Sequence, residues 1–397
     1  MARLAPRLAL LAALCLPALA RAGTSPLQWV DSSFAEALAR AETEKKPLMV
    51  DVYATWCGPC HLLDRNVFTD EVVLESSKAW IAVKLDGELG EGLEVAKRYH
   101  VVGFPTVLFL DPSGKEIDRI FGYVEPAAFA ATMEAYREGR DTLDSAAEEA
   151  LKAPADLEAA LEVGTRYAVR GDAGNAYRHF ARILEARQRL LEQGAREKKV
   201  ATALQLLTGD PLARPIGAQL AGDLVSKEER EKIDGLAAQA YLVLGKYLFL
   251  RGRRDNRRAL KILQALEREF PESSQAREAP YHIAVALQRS RKSAEAKKKL
   301  QSYLTAEKHS AEAANTVAWF CYRERAHLDW GKEVARKALE AEPQNGALWD
   351  TLAELEGALG NWKAALEAAK QAAAADPSEP YYGQQVTRFE YAVSKDG

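Results

Sequence analysis

The residues with the most evident chemistry are Cys57 and Cys60, with Gly58 and Pro59 between them and His61 after them. They follow an apolar run, Leu48 to Tyr53, and stand at the start of a helix-like Leu62-Leu63-Asp64. Two cysteines at this spacing, after a strand and opening a helix, read as a redox dithiol. The first sits where unpaired helix N–H groups and the helix dipole favour a thiolate. The thiolate is the form that attacks a disulfide, and the second cysteine is near enough to release the mixed disulfide that results. The same letters, Cys-x-x-Cys-His, also spell a haem attachment motif. The strand before them, the Gly-Pro insert and Gly103-Phe104-Pro105-Thr106 downstream oppose that reading, and beyond the initiator only Met49 and Met133 offer a methionine axial ligand. A zinc site would need a second cysteine pair that the chain lacks. No metal and no cofactor is expected.

The elements that must hold this pair are legible from pattern. Asp31-Ser32-Ser33 is a helix cap ahead of Phe34, Ala37 and Leu38 at helical spacing, within Trp29 to Lys45. Leu48 to Tyr53 is a strand, Cys57 to Phe68 a helix and Asp70 to Lys78 a second, short helix. Trp80 to Leu85 alternates as a strand does and ends at Asp86. Leu93 to Tyr99 is helical, and Thr106 to Leu110 is a buried strand. Asp111-Pro112-Ser113-Gly114 is a hairpin turn, Glu116 to Phe121 an edge strand, and Pro126 to Tyr136 a closing helix. The order α-β-α-β-α-β-β-α describes an α/β layer fold. A proline directly before a central strand, Pro105, is awkward without a purpose. A cis bond there would be a deliberate feature, leaving backbone beside it to bind an extended substrate segment.

With these motifs in place, residues from about Lys46 to Tyr136 resemble the thioredoxin fold. Within it they are most similar to the C-terminal periplasmic domain of the thiol–disulfide interchange protein DsbD and its secreted relatives. The resemblance rests on KPLMVDVYATWC, Val67-Phe68-Thr69-Asp70, Val102-Gly103-Phe104-Pro105-Thr106 and Gly122 after the hairpin, and covers roughly the first third of the chain. It implies that Cys57 is the attacking nucleophile and Cys60 the resolving thiol. Asp51 matches the buried acid that shuttles the resolving thiol's proton, and Lys84 the lysine near that acid. Pro105 matches the cis-proline, with Phe104 and Thr106 flanking the substrate groove. Trp56 would shield the dithiol and pack against substrate, and His61 would be a helix-surface residue. Gly58-Pro59, the dipeptide of reducing thioredoxins, tunes the pair toward reduction. The chain departs from DsbD in lacking its membrane electron channel, so another molecule, a membrane electron-transfer partner of the DsbD type, must supply electrons.

The chain has 397 residues and a formal charge of −3, which suggests more than one domain and gives no sign of a nucleic-acid partner. Arg3 and Arg7, the apolar Leu8–Ala20 and Ala20-Arg21-Ala22 read as a secretory signal peptide over residues 1–22. The protein is then secreted or periplasmic and soluble, with no further segment of transmembrane length. Beyond the leader remain Cys57, Cys60 and Cys321. Cys321 lies among Trp319, Phe320 and Tyr322 and reads as a core thiol.

The thioredoxin-like domain is expected over 23–139 and a linker with a connecting helix over 140–155. Over 156–397 the composition turns helical and repeats. Gly164-x-x-Tyr167 precedes Ala176-x-x-x-Phe180, Leu244-Gly245 precedes Ala259-x-x-x-Leu263, and Trp319-x-x-Tyr322 precedes Gly331-x-x-x-Ala335. Pro343 and Pro377 are one tetratricopeptide period apart. These units resemble tetratricopeptide (TPR) repeats, which imply an all-α solenoid able to dock a protein or peptide ligand. Gly194 to Asp234 fits no clean repeat, the basic cluster Arg251–Arg258 reads as a solvated face, and Tyr381 onward reads as part of a capping helix. The sequence therefore points to an exported thiol–disulfide oxidoreductase acting on disulfide-containing client proteins. The alternative is a TPR scaffold whose thioredoxin domain is not catalytic.

Overall fold

The computed structural model describes residues 27–208 and 227–396. The leader expected over residues 1–22 and the middle of the irregular stretch, 209–226, lie outside the described residues. The first domain runs α1 (Phe34–Glu44), β1 (Leu48–Tyr53), α2 (Gly58–Leu62), a π-helical turn (Leu63–Val67), α3 (Glu71–Ser77), β2 (Ile81–Asp86), α4 (Gly90–Arg98), β3 (Thr106–Leu110), β4 (Glu116–Phe121) and α5 (Pro126–Arg137). Ser33 starts α1 through a capping box: its side chain accepts the Glu36 N–H while the Glu36 carboxylate accepts the Ser33 N–H.

The sheet order is β2-β1-β3-β4, with β1 parallel to β2 and antiparallel to β3, and β3 antiparallel to β4. β1 is central and covered on both faces, which is why Leu48 to Val52 reads as an almost unbroken apolar run. Leu48, Val50 and Val52 pack with Phe34, Ala37 and Val95 of α1 and α4. Met49 faces the other layer, with Leu63, Phe68 and Phe129. By strand alternation Asp51 shares Met49's side of the sheet.

One helix differs from expectation. The single helix foreseen over Cys57–Phe68 is α2 followed by the π turn, closed by the Phe68 N–H reaching the Leu63 carbonyl at 2.9 Å. The widened turn carries Asp64, which pairs with Lys84.

The rest of the chain is helical: α6 (Leu143–Lys152), α7 (Leu157–Ala168), α8 (Ala173–Thr208), α9 (Lys227–Val243, continuing as π-helical Leu244–Gly252), α10 (Asn256–Glu269), α11 (Ser274–Arg289), α12 (Ser293–Ala306), α13 (Ala311–Arg323), α14 (Leu328–Ala341), α15 (Gly346–Ala358), α16 (Trp362–Ala375) and α17 (Pro380–Asp396). From α10 on, each helix packs on the next, and α11, α13 and α15 also pack in succession. That is the contact pattern of stacked two-helix repeats sharing one continuous core. Small residues mark the tight crossings: a Cβ at Gly331 would lie 2.6 Å from Cys321 Cβ. Cys321 is fully buried, and burial pushes its thiol up to about 12, so it is a core residue. Contrary to the sequence expectation, one described helix, Glu228–Gly252, is long and apolar enough to cross a membrane; 61% of that window is buried within the protein, with Leu248 and Phe249 in the helical core.

The two parts meet at Asp118 on β4, which is fully buried. Its carboxylate accepts the Arg119 N–H at 2.7 Å and the Leu143 N–H at 2.5 Å, and it pairs with Arg166 of α7 and with Arg170 just after it. Arg170 also meets Glu116 at 3.0 Å. Removing one member of such a buried set leaves the other charges uncompensated. Asp118→Ala is therefore expected to cost about 3 kcal/mol or more, measured as a lowered denaturant midpoint, whereas Glu138→Ala, in an exposed pair with Arg140, leaves the midpoint nearly unchanged.

Candidate functional site

The site is built at the end of β1. Tyr53 ends the strand, Ala54 to Trp56 turn the chain, and Cys57 caps α2. Cys57 and Cys60 are joined as a disulfide and are almost completely buried. The Cys60 N–H donates to Cys57 Sγ at 3.2 Å. When the pair is reduced, that donor favours the thiolate on Cys57. Gly58 and Pro59 are exposed at the tip.

Facing the pair is the loop before β3. The Phe104–Pro105 bond is cis, and Phe104 packs edge-on against Trp56 at 6.2 Å between ring centroids. Thr106 is fully buried, and its hydroxyl donates to the Gly103 carbonyl at 2.7 Å. It braces this loop from behind. Gly87, which sequence reasoning passed over, makes room for Phe104: a Cβ there would come within 2.4 Å of Phe104 Cε1 and 2.8 Å of Val52 Cγ1.

On β1, the strand that leads to the pair, Asp51 is 1% exposed. Parallel pairing of β1 and β2 sets it beside Lys84, whose Nζ is 3.1 Å from Asp51 Oδ2. Lys84 also pairs with Asp64, and lies 4.7 Å from the Tyr53 ring centroid and 5.6 Å from that of Trp29. Asp51 Oδ1 is buried without a hydrogen-bond partner. Burial outweighs the attraction of Lys84 and raises the Asp51 carboxyl to about 6. Burial opposes the Lys84 charge, but Asp51 and Asp64 hold its ammonium above the usual lysine range. The site thus has a buried acid able to take or give a proton near neutral pH.

The rim holds residues that local sequence patterns did not reveal. The Trp56 indole N–H donates to Glu88 Oε2 at 2.6 Å, and Arg323 of α13 donates to Glu88 Oε1 at 2.8 Å. Burial works against the Glu88 charge, but these two donors hold it below the usual carboxylate range. Trp56 also packs against Trp319 of α13, 5.7 Å between centroids. His61 is not a free surface residue: its Nε2 is 2.8 Å from the Thr55 carbonyl and its Nδ1 3.0 Å from Glu379 at the start of α17. The signal that could have marked these helices is the unusual Trp-Phe-Cys-Tyr-Arg cluster on α13, which carries more aromatic surface than a repeat core needs.

A cysteine pair opening the first helix after a central strand that holds a buried acid, beside a cis-proline loop, defines a thioredoxin-like redox domain. Residues 28–112 match the family model described as Thioredoxin-like, so the chain carries a thioredoxin-like domain. Among curated relatives, it is 34% identical over 102 residues to the thiol:disulfide interchange protein DsbD of Pseudoalteromonas atlantica, covering 25% of this chain and 17% of that protein. It is 35% identical over 108 residues to DsbD of Pseudomonas fluorescens, covering 26% and 18% respectively. The chain thus spans less than a fifth of the length of these relatives. Of solved structures, a thioredoxin from Thermus thermophilus is similar at 30% identity over 28% of this chain and 86% of that one, with a TM-score of 0.26.

The Asp51 shift has a defined sign. Burial holds it at about 6, above the ordinary aspartate value of 3.8, so the stability linked to its protonation is complete below pH about 4 and is lost as pH rises through about 6. Asp51→Asn is expected to exceed wild type in stability above pH 6 by up to about 3 kcal/mol, with the gap closing below pH about 4; denaturant midpoints across this range check it. The same variant loses any inflection near pH 6 in the rate of disulfide turnover.

Proposed function

We propose that the protein is an exported thiol–disulfide oxidoreductase that reduces disulfides in client proteins. The observation that carries this is the Cys57–Cys60 pair packed beside Phe104 of the cis-proline loop, at the end of a strand that buries the carboxyl of Asp51. The likeness to DsbD supports the same chemistry, and the Gly-Pro insert supports the reducing direction.

In the reduced enzyme, the Cys57 thiolate attacks one sulfur of a client disulfide held along the Phe104–Pro105 backbone. A Cys57–client S–S bond forms as the client S–S bond breaks, and the departing client sulfur takes up a proton. Asp51 accepts the Cys60 proton, and the Cys60 thiolate attacks Cys57 Sγ. The mixed disulfide breaks, and the second client sulfur leaves as a thiolate and takes up a proton through solvent in exchange for the one held on Asp51. The client leaves as a dithiol, and the enzyme holds both cysteines as a disulfide. The two electrons came from the Cys57–Cys60 dithiol. A membrane dithiol partner of the DsbD type restores them, since the amino-terminal leader sends the protein out of the cytoplasm. The helical part is read as tetratricopeptide repeats that dock a client or partner.

The wild-type protein is expected to reduce insulin with dithiothreitol as donor, and Cys57→Ser to fall to background; equal rates for the two would return the protein to the scaffold class. Cys60→Ser accumulates mixed disulfides with its clients, seen on non-reducing gels. The reduction potential is expected near about −270 mV, and a value near about −120 mV would reverse the direction of electron flow.

A further inference from the structure

The dithiol does not open onto a broad surface. Three helices of the repeat domain reach its rim. α13 lays the Arg323 guanidinium over the Trp56 indole, 4.4 Å from the ring centroid, and adds Trp319 beside it. At its end, α9 packs Tyr247 edge-on against Phe121 at 5.1 Å and brings Arg251 so near Gly103 that a Cβ there would lie 2.8 Å from its Nη1. α17 holds His61 and, at 3.2 Å, Arg65 through Glu379. Around the motif, Thr55, Gly58 and Pro59 stay exposed, while Cys57 itself is 2% exposed. A folded client needs a flat seat beside the reacting sulfur, and the helices flanking the motif take up that space. An extended segment needs only a slot.

The repeat domain continues that slot. A groove of about 620 Å³ begins at Trp319 and is lined by Tyr281, Tyr303, Asn315, Arg277 and Glu312. Phenol, amide, hydroxyl and indole groups share it with Arg277 and three carboxylates, those of Glu278, Glu307 and Glu312. Hydrogen-bonding groups set among aromatic rings fit the backbone and side chains of a polypeptide, and the excess of carboxylates favours a segment that carries basic residues.

We propose that the client is an unfolded polypeptide, taken past the rim of the dithiol as an extended disulfide-bearing segment along this groove of the repeat domain, and that Trp319 and Arg323 are its specificity-determining residues. They occupy the face of Trp56 on which a folded client would otherwise rest. This rests on the oxidoreductase reading above. The Arg323–Glu88 pair is about one-third exposed on each side, so salt weakens it and the clasp yields.

The test uses the full chain and two substrates: native insulin, and a linear unfolded peptide whose cysteine is disulfide-bonded to glutathione. Wild type is expected to prefer the peptide by about tenfold or more in kcat/KM. In Arg323→Ala and in Trp319→Ala that preference falls at least about fivefold, through the KM for insulin, while Arg323→Lys keeps most of it. Rising ionic strength lowers the preference in wild type and not in Arg323→Ala. A wild type that treats both substrates alike overturns the proposal, as do variants whose rates for the two substrates shift in parallel. The oxidoreductase reading fails separately, if Cys57→Ser still turns over the peptide.

Discussion

The burial of Asp118 under two arginines is the constraint on which the arrangement of this molecule depends. A carboxylate with no exposed surface is tolerated only when each oxygen is met by donors, and here those donors come from three places. The Arg119 N–H belongs to the strand itself, the Leu143 N–H to the connecting helix, and Arg166 and Arg170 to the repeat domain. A buried charge cluster of this kind contributes less to net stability than to uniqueness of arrangement, because any other docking would strand its charges. It fixes the repeat domain on β4, and from there α9, α13 and α17 fall at the rim of the redox site.

The site combines two opposed electrostatic environments. At the front, the Cys60 N–H steadies negative charge on Cys57. At the back, Asp51 is deprived of water and of a partner for one oxygen, which favours its neutral form despite Lys84. Register produces the second effect: the parallel pairing of β1 with β2 places Asp51 opposite Lys84, and the π turn brings Asp64 to the same ammonium. Lys84 is thus shared between two carboxylates and does not fully neutralise the buried one. The proton-active acid and the thiolate-favouring end of α2 are separate consequences of one strand–turn–helix unit.

Much of the first domain was legible because its signals are local. A strand buried on both faces reads as an apolar run, and β1 obeys; Ser33 and Glu36 have capping spacing; Pro105 before a central strand marks a special bond. Cys57, Cys60, Asp51 and Lys84 lie where these patterns place them. The burial of Thr106 was not legible, because adjacency to the loop does not reveal which way a strand residue points. The π turn was missed because Leu63 to Val67 holds no glycine or proline to mark a break in the helix. Glu88 looks like any acid in a turn, and Arg323 like any basic residue ending a helix. Their roles come from a contact 235 residues apart along the chain, which no periodicity of either segment encodes.

The pairing of His61 with Glu379 bears on the order in which the site is assembled. The sheet and α2 are joined by contacts close in sequence, which form early. Glu379 and Arg323 lie in the last quarter of the chain, and their loop-closure cost is met only after the intervening helices have stacked. A chain emerging from its amino end therefore carries a competent dithiol before it carries the rim that restricts it. For an interval in the life of each molecule the cysteines stand without Trp319 and Arg323 beside Trp56, and the chain's own unfolded remainder is the nearest polypeptide they can meet.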